Sequence, residues 1–130
     1  MSERGQALVE FALVLPLLVM FALAIVLVAE VGVARLSLEH AAAEGARMGA
    51  LTNDDGEIGR VVTAALSPLD PARARTKIEP RQHEIPRAWD PRGTLLRVSL
   101  EYDVPVPLGF AGLTAVTVRA AATRVIEWTP

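Results

Sequence analysis

Residues 4–30 read RGQALVEFALVLPLLVMFALAIVLVAE, and this stretch decides the fold of the chain. Its nineteen residues 11–29 include no charged side chain. As an α-helix they would extend over about 29 Å, close to the ~30 Å hydrocarbon thickness of a bilayer. A soluble core helix is rarely apolar on every face over such a length. The sequence therefore predicts a membrane span.

Two other interpretations of this stretch remain open on sequence grounds. One is a buried helix in a soluble domain, although a chain of 130 residues has little mass with which to cover such a helix on all sides. The other is a cleaved secretory signal, whose apolar core is about 7–15 residues long and ends at small residues. The stretch here is longer, and residues 27–29 and 32–34 form poor cleavage sites.

Glu10 is the one carboxylate within the apolar beginning of this stretch. A charged side chain there is unfavourable, by about 2.5–3.5 kcal/mol at the bilayer centre and by less near the surface. Its presence indicates a partner cation. In one interpretation Glu10 stays protonated or reaches the headgroups. In the other it pairs with an amine made by cutting the chain just upstream, where Gly5 is expected to break the chain before the helix.

Residues 4–16, RGQALVEFALVLP, resemble the N-terminus of TadE-like proteins, the minor pilins or pseudopilins of the tight-adherence (Flp) branch of type IV pili. In that family a prepilin peptidase cuts after the glycine, and the glutamate is the fifth residue of the mature chain. The resemblance implies cleavage between Gly5 and Gln6. It makes Glu10 the fifth mature residue and Phe11 the aromatic that follows it.

The resemblance weakens along the chain. The AAAEGAR run at residues 41–47 is similar to a small-residue run that follows the span in the family, and residues 51–130 match only in general layout. Major Flp subunits are usually much shorter, so the extra outer domain implies a minor or priming role. The implied partners are a prepilin peptidase, other pilin or pseudopilin subunits, the pilus assembly platform and the lipid bilayer.

Composition argues against several classes of function. The formal net charge is −2 and no basic stripe is present, which gives nucleic-acid binding little support. There is no cysteine, so disulfides and cysteine-ligated metals are excluded. The sequence has no nucleophile motif, no phosphate-binding glycine loop and only two isolated histidines. We expect a substrate of an enzyme rather than an enzyme, with no cofactor and no small-molecule substrate.

Two local patterns resemble metal sites and fail. The run NDDG at residues 53–56 begins like a calcium loop, but the twelfth position, which requires a glutamate, is Ala64. His83 and Glu84 begin like a zinc-protease motif, but Arg87 occupies the place of the second histidine. We therefore expect no metal site.

The first helix is expected to run from about residue 6 to residue 51, and its outer half would form a stalk. Ala41, Gly45 and Gly49 recur every four residues on one face, which permits close approach to another helix. Docking of that face on the chain's own sheet explains the pattern equally well. Pro16 predicts a kink or local softening of the span, unless it is an ordinary transmembrane proline.

The remaining sequence predicts a small α+β domain. Asp54 is expected to cap a second helix at residues 57–66, with Glu57 as its capping-box partner. Prolines break residues 67–94, which carry a short strand at 76–79. Alternation over residues 95–104 predicts a half-buried strand, and a second strand at 116–126 is its expected antiparallel neighbour. The predicted fold is a long transmembrane and stalk helix, a short second helix and about three antiparallel strands on the stalk, as in pilins.

The connection at residues 105–115 is unusually apolar for a loop. Leu108, Phe110 and Leu113 are expected either to be buried in the subunit core or to present a surface to a partner subunit or to the outer lipid face. TadE-like proteins have a comparable apolar connection. This loop is the best candidate for a protein contact outside the helix.

The predicted organisation is a leader at residues 1–5, a transmembrane segment at 6–30 and an extracytoplasmic stalk plus α+β domain at 31–130. The family implies a single-pass protein of the cytoplasmic membrane, with a cytoplasmic N-terminus and an outer C-terminal domain. If the protein enters the fibre, that domain reaches the cell-surface pilus. The expected role, within a pilus assembly and secretion system, is support of pilus biogenesis, adhesion and surface colonisation. Other classes remain open: a membrane protein with an outer binding domain unrelated to pili, a membrane-anchored enzyme, and an exported soluble protein.

Overall fold

The computed structural model describes residues 2–130, apart from the side chain of Ala111, and Met1 of the predicted leader lies outside the described residues. The elements are α1 (Glu3–Thr52), α2 (Asp55–Ala65), β1 (Ala74–Glu79), β2 (Leu95–Pro105) and β3 (Ala115–Val125), with short 3₁₀ turns at Pro71–Arg73 and Pro107–Gly112. The three strands form one antiparallel sheet. The predicted α+β class and its order of elements are confirmed.

The helix α1 is unbroken over 50 residues, about 75 Å at 1.5 Å per residue. It begins at Glu3, earlier than predicted, because the Ser2 side chain accepts a hydrogen bond from the Gly5 N–H and caps the helix. The prediction that Gly5 breaks the chain before the helix is therefore wrong. Pro16 lies inside α1, which continues through it.

The two helices meet at a tight corner. Asn53 follows α1 in the left-handed conformation, with φ of 52°. Asp54 then caps α2 as predicted, because its carboxylate accepts hydrogen bonds from the N–H groups of Gly56 and Glu57. The predicted return hydrogen bond, from the Asp54 N–H to the Glu57 carboxylate, is wrong, because that carboxylate binds Arg60 instead.

The strand β2 lies at the centre of the sheet, between β1 and β3. Its alternation of buried and exposed residues confirms the predicted pattern. The inward-facing set is Leu96, Val98, Leu100, Tyr102 and Val104, all of them buried. The strand β1 begins at Ala74, two residues before the predicted start.

The outer half of α1 packs on β2 and β3, and α2 packs on α1, so that together they enclose an aliphatic core. The helix α1 contributes mainly small residues, together with Leu38. Ala120 and Ala122 of β3 are packed against the same core, so small side chains meet on both sides. Close packing of helix on strand follows from this pairing of small residues.

Candidate functional site

The inner half of α1 lies outside the core. Among the described helices, α1 alone is long and apolar enough to cross a membrane, judged by length and composition. Its most apolar eighteen-residue window has a mean hydropathy of 3.1 and is 0% buried. So large an exposed apolar surface requires lipid or another apolar partner. The helix is compatible with a single-pass membrane anchor.

The predicted processing site lies in the first turn of α1. The N–H groups of Gly5 and Gln6 both donate to the backbone carbonyl of Ser2, at 2.9 and 3.1 Å. Glycine is also a weak helix former, by about 1 kcal/mol relative to alanine. The peptide bond between Gly5 and Gln6 therefore lies where the helix depends on a single residue, Ser2, for its hydrogen bonds.

The structure brings Gln6 and Glu10 together on one face of α1. The Gln6 Nε2 atom lies 3.5 Å from Glu10 Oε1, one helical turn further on. Residues four apart on a helix are neighbours, so an amine at Gln6 would lie on the same face as the Glu10 carboxylate. Phe11 is exposed beside this pair and belongs to the apolar surface of the span.

The small-residue face of α1 docks on the chain's own domain. Ala41, Gly45 and Gly49 are all buried. A Cβ atom at Gly45 would lie 2.6 Å from Val62 Cγ2, and one at Gly49 would lie 2.3 Å from Leu96 Cδ2. The sequence left open whether this face packs on another helix or on the chain's own sheet. In the structure the face packs within the chain, against both α2 and β2, at this height of the helix.

The 3₁₀ turn Pro107–Gly112 closes the hairpin between β2 and β3, and we call it the hairpin tip. Leu108 is 91% exposed, Leu113 is 49% exposed and Phe110 is half-buried. Burial in the subunit core therefore does not apply to Leu108. The alternative, an outward apolar surface, is what the geometry supports for this residue.

Sequence reasoning missed Arg87, whose side chain is fully buried. Its Nε donates to Asn53 Oδ1 at 2.7 Å, and its Nη1 donates to the Asp55 carboxylate and to the Pro80 carbonyl. These contacts fasten the proline-rich loop to the corner between α1 and α2. Asn53 and Asp55 are more than thirty residues from Arg87 in sequence, so no local pattern signals these two partners.

The open face of the sheet carries a charged network. Arg75 Nη1 lies 2.9 Å from Asp103 Oδ2, and Glu101 lies between Arg75 and Arg119 across the three strands. The Arg75 hydrogen bond, followed by one from the Thr117 hydroxyl, lowers the pKa of Asp103 to about 2. This face is hydrated and charged, unlike the apolar surfaces of the span and the hairpin tip.

The described residues, 2–130, contain no group of three or more His, Cys, Asp or Glu side chains that could hold a metal ion.

Fold and exposed surfaces together define a class: a protein with one membrane-length apolar helix that carries a small α+β domain on its outer half. Residues 5–47, about a third of the chain, match the model of a family described as TadE-like protein. The match confirms, over these residues, the resemblance to TadE-like proteins identified from the sequence. Comparisons with curated proteins and with solved structures gave no match.

Proposed function

We propose that this protein is a minor pilin or pseudopilin of a tight-adherence type IV pilus system, cut after Gly5 by a prepilin peptidase. It is a structural subunit with no catalytic role, and it supports pilus biogenesis and through it adhesion and secretion. The single observation that carries the proposal is a bare apolar helix with one acid, Glu10, within the apolar beginning of the span. The family match over residues 5–47 adds independent support.

Cleavage changes the charge at the inner end of the helix. In the intact chain the Gln6 nitrogen is an amide that donates to the Ser2 carbonyl. Removal of residues 1–5 removes that acceptor and converts the nitrogen into a charged amine. The amine then needs a counter-charge, because an unpaired charge in a medium of low dielectric is strongly unfavourable.

Glu10 supplies that counter-charge, within its own chain or in a neighbouring subunit. Its carboxylate already faces Gln6 along α1. An amine and a carboxylate that are brought together offset much of each other's desolvation, whereas a wrong stagger leaves both unpaired. Pairing at Glu10 therefore sets the register of one helix against the next.

In this proposal the N-terminus is cytoplasmic and the α+β domain lies outside the cytoplasmic membrane. The sheet and α2 follow the span in sequence and in this orientation are the part that is translocated. The other pilus subunits and the assembly platform contact the apolar span, since the small-residue face of the outer half is already covered by the chain's own domain.

The test replaces Glu10 by glutamine in the native host, with Glu39→Gln as the matched control. Glu39 is exposed on the same helix and pairs with Arg35 at the surface. We expect Glu10→Gln to be inserted and cut normally but to reduce pilus assembly more than tenfold, since about 1.4 kcal/mol corresponds to each factor of ten. The control should assemble normally. Normal assembly of Glu10→Gln would contradict the pairing.

Processing is tested separately by intact-protein mass spectrometry. In a host with the peptidase, the mature chain should begin at Gln6 and lack residues 1–5. In a strain without the peptidase the full chain should accumulate in the membrane. An uncut chain in the competent host would instead favour a single-pass membrane protein unrelated to pili.

A further inference from the structure

The hairpin tip lies at the membrane end of the domain. The distal end of the domain is fixed by Ala50, whose carbonyl accepts the N–H groups of Glu127 and Trp128 just after β3. Because β3 runs away from its start at Ala115, that start and the end of β2 lie at the opposite, proximal end. Pro105 and Ala29 line one cavity there, which places the tip beside the outer end of the apolar span.

The chain around the hairpin tip is uncharged. From residue 104 to residue 118 no side chain carries a charge. The next charged groups along β2 and β3 are Asp103 and Arg119, which belong to the network on the open face. The uncharged tip and the apolar surface of α1 therefore lie at the same height along the helix, although they are far apart in sequence.

The backbone of the tip displays Leu108 outward. Leu108 has φ of 53°, a left-handed conformation that a bulky side chain rarely adopts. Its side chain is nonetheless 91% exposed, so the conformation is not explained by burial in the core. Strained residues of this kind persist where they serve a site, so the conformation of Leu108 indicates a functional role for the tip.

A second feature at the same height suits the headgroup layer. Arg73 lies over the ring of Tyr102, with its Cζ 5.4 Å from the ring centroid. Both residues line the cavity that Ala29 and Pro105 border. Arg73 is exposed, so its guanidinium can contact lipid headgroups near the end of the apolar span, whereas the Tyr102 ring beneath it belongs to the buried core.

We propose that the hairpin tip inserts into the outer leaflet beside the point where α1 leaves the bilayer, with Leu108 reaching the upper acyl chains. The domain is thereby held by two contacts with lipid, the span and the tip. This inference rests on α1 spanning the membrane, which is part of the proposed function.

The test uses single-cysteine variants of the full chain, since the native sequence has no cysteine. Leu108→Cys probes the tip, Trp89→Cys is the matched control and Val19→Cys probes the span. Trp89 is 85% exposed, similar to Leu108, but it lies beside Asn53 at the distal end, about 33 Å along α1 from the end of the span. Each cysteine receives an environment-sensitive fluorophore, and the protein is reconstituted in phosphatidylcholine vesicles with nitroxide-labelled lipids.

We expect the fluorophore at position 108 to emit at shorter wavelength than the one at 89 and to be quenched by nitroxides near the headgroups. The fluorophore at 89 should stay unquenched and that at 19 should be quenched by deep nitroxides. Quenching at 19 without quenching at 108 overturns only the insertion of the tip and leaves the membrane anchor in place. No quenching at 19 overturns the membrane anchor itself.

The ratio of protein to lipid separates lipid from a second copy of the chain. If the tip meets lipid, the emission at position 108 is independent of this ratio. A wavelength shift that appears only when the protein is crowded overturns the inference in favour of contact between copies.

Discussion

At the residue scale, Arg87 is the residue on which the distal end of the domain most depends. A buried guanidinium is tolerated only with a carboxylate and with hydrogen-bond acceptors close by, and Asp55 and Asn53 provide them. Asp55 also exchanges two hydrogen bonds with Gln82. The loop around Arg87 contributes no strand or long helix, so these polar contacts largely fix its position.

Replacing Arg87 by methionine should destabilise the protein by about 2–3 kcal/mol, somewhat less than for a fully buried pair because Asp55 keeps some access to water. The measurement is urea unfolding of the full chain in detergent, followed by tryptophan emission. The double variant Arg87→Met, Asp55→Asn should recover part of the loss, since no uncompensated carboxylate remains. A loss below about 0.5 kcal/mol in the single variant would contradict this account.

At the scale of elements, α1 is one helix with two environments. Its inner half exposes large apolar side chains in every direction, whereas its outer half buries alanines and glycines against α2 and the sheet. The absence of side chains at Gly45 and Gly49 allows α2 and β2 to approach the helix closely. The domain is therefore held by contact at short range rather than by large side chains from α1.

Gly49→Val should destabilise the domain by about 1–3 kcal/mol, because the new side chain meets Leu96 and Ile58 in a filled core. Gly32→Val on the same helix is the matched control, since a Cβ there has no neighbour within 4 Å. Both variants are compared by urea unfolding in detergent. Equal stabilities for the two variants would show that the core adapts to the added volume.

The elements themselves were predictable because their signals are local. The uncharged run, the alternation along β2 and the cap at Asp54 each depend on a few adjacent residues. The helix α1 begins before the predicted residue 6, because its cap at Ser2 precedes the apolar run on which that prediction depends. Arg87 could not be found from sequence, because its partners become neighbours only when the chain has folded.

At the scale of the whole molecule, the span and the domain have separate roles. Packing against the core begins with the half-buried Leu27 and Val31, and Ala34 is the first residue of α1 that is fully buried. No residue in the most apolar part of the helix is fully buried. The domain should therefore fold without the span.

A chain that begins at residue 27 should be recovered in the soluble fraction, with a melting midpoint within a few degrees of the full chain. A chain that begins at residue 40 is the control, and it should fail to fold because it lacks Ala34 and Leu38. Thermal unfolding followed by tryptophan emission compares the three chains. Loss of folding in the chain that begins at residue 27 would mean that the span supports the domain after all.

The helix α1 crosses from span to domain without a break between Glu3 and Thr52. In the proposed membrane arrangement, α1 therefore acts as a rigid lever that pivots at the bilayer surface. A tilt of the span by about 10° would swing the distal corner, about 33 Å further out, sideways by about 6 Å. A tilt or rotation of the anchor is thus transmitted along α1 to the outermost surface of the protein. The tilt angle of α1 decides which partners that surface can contact.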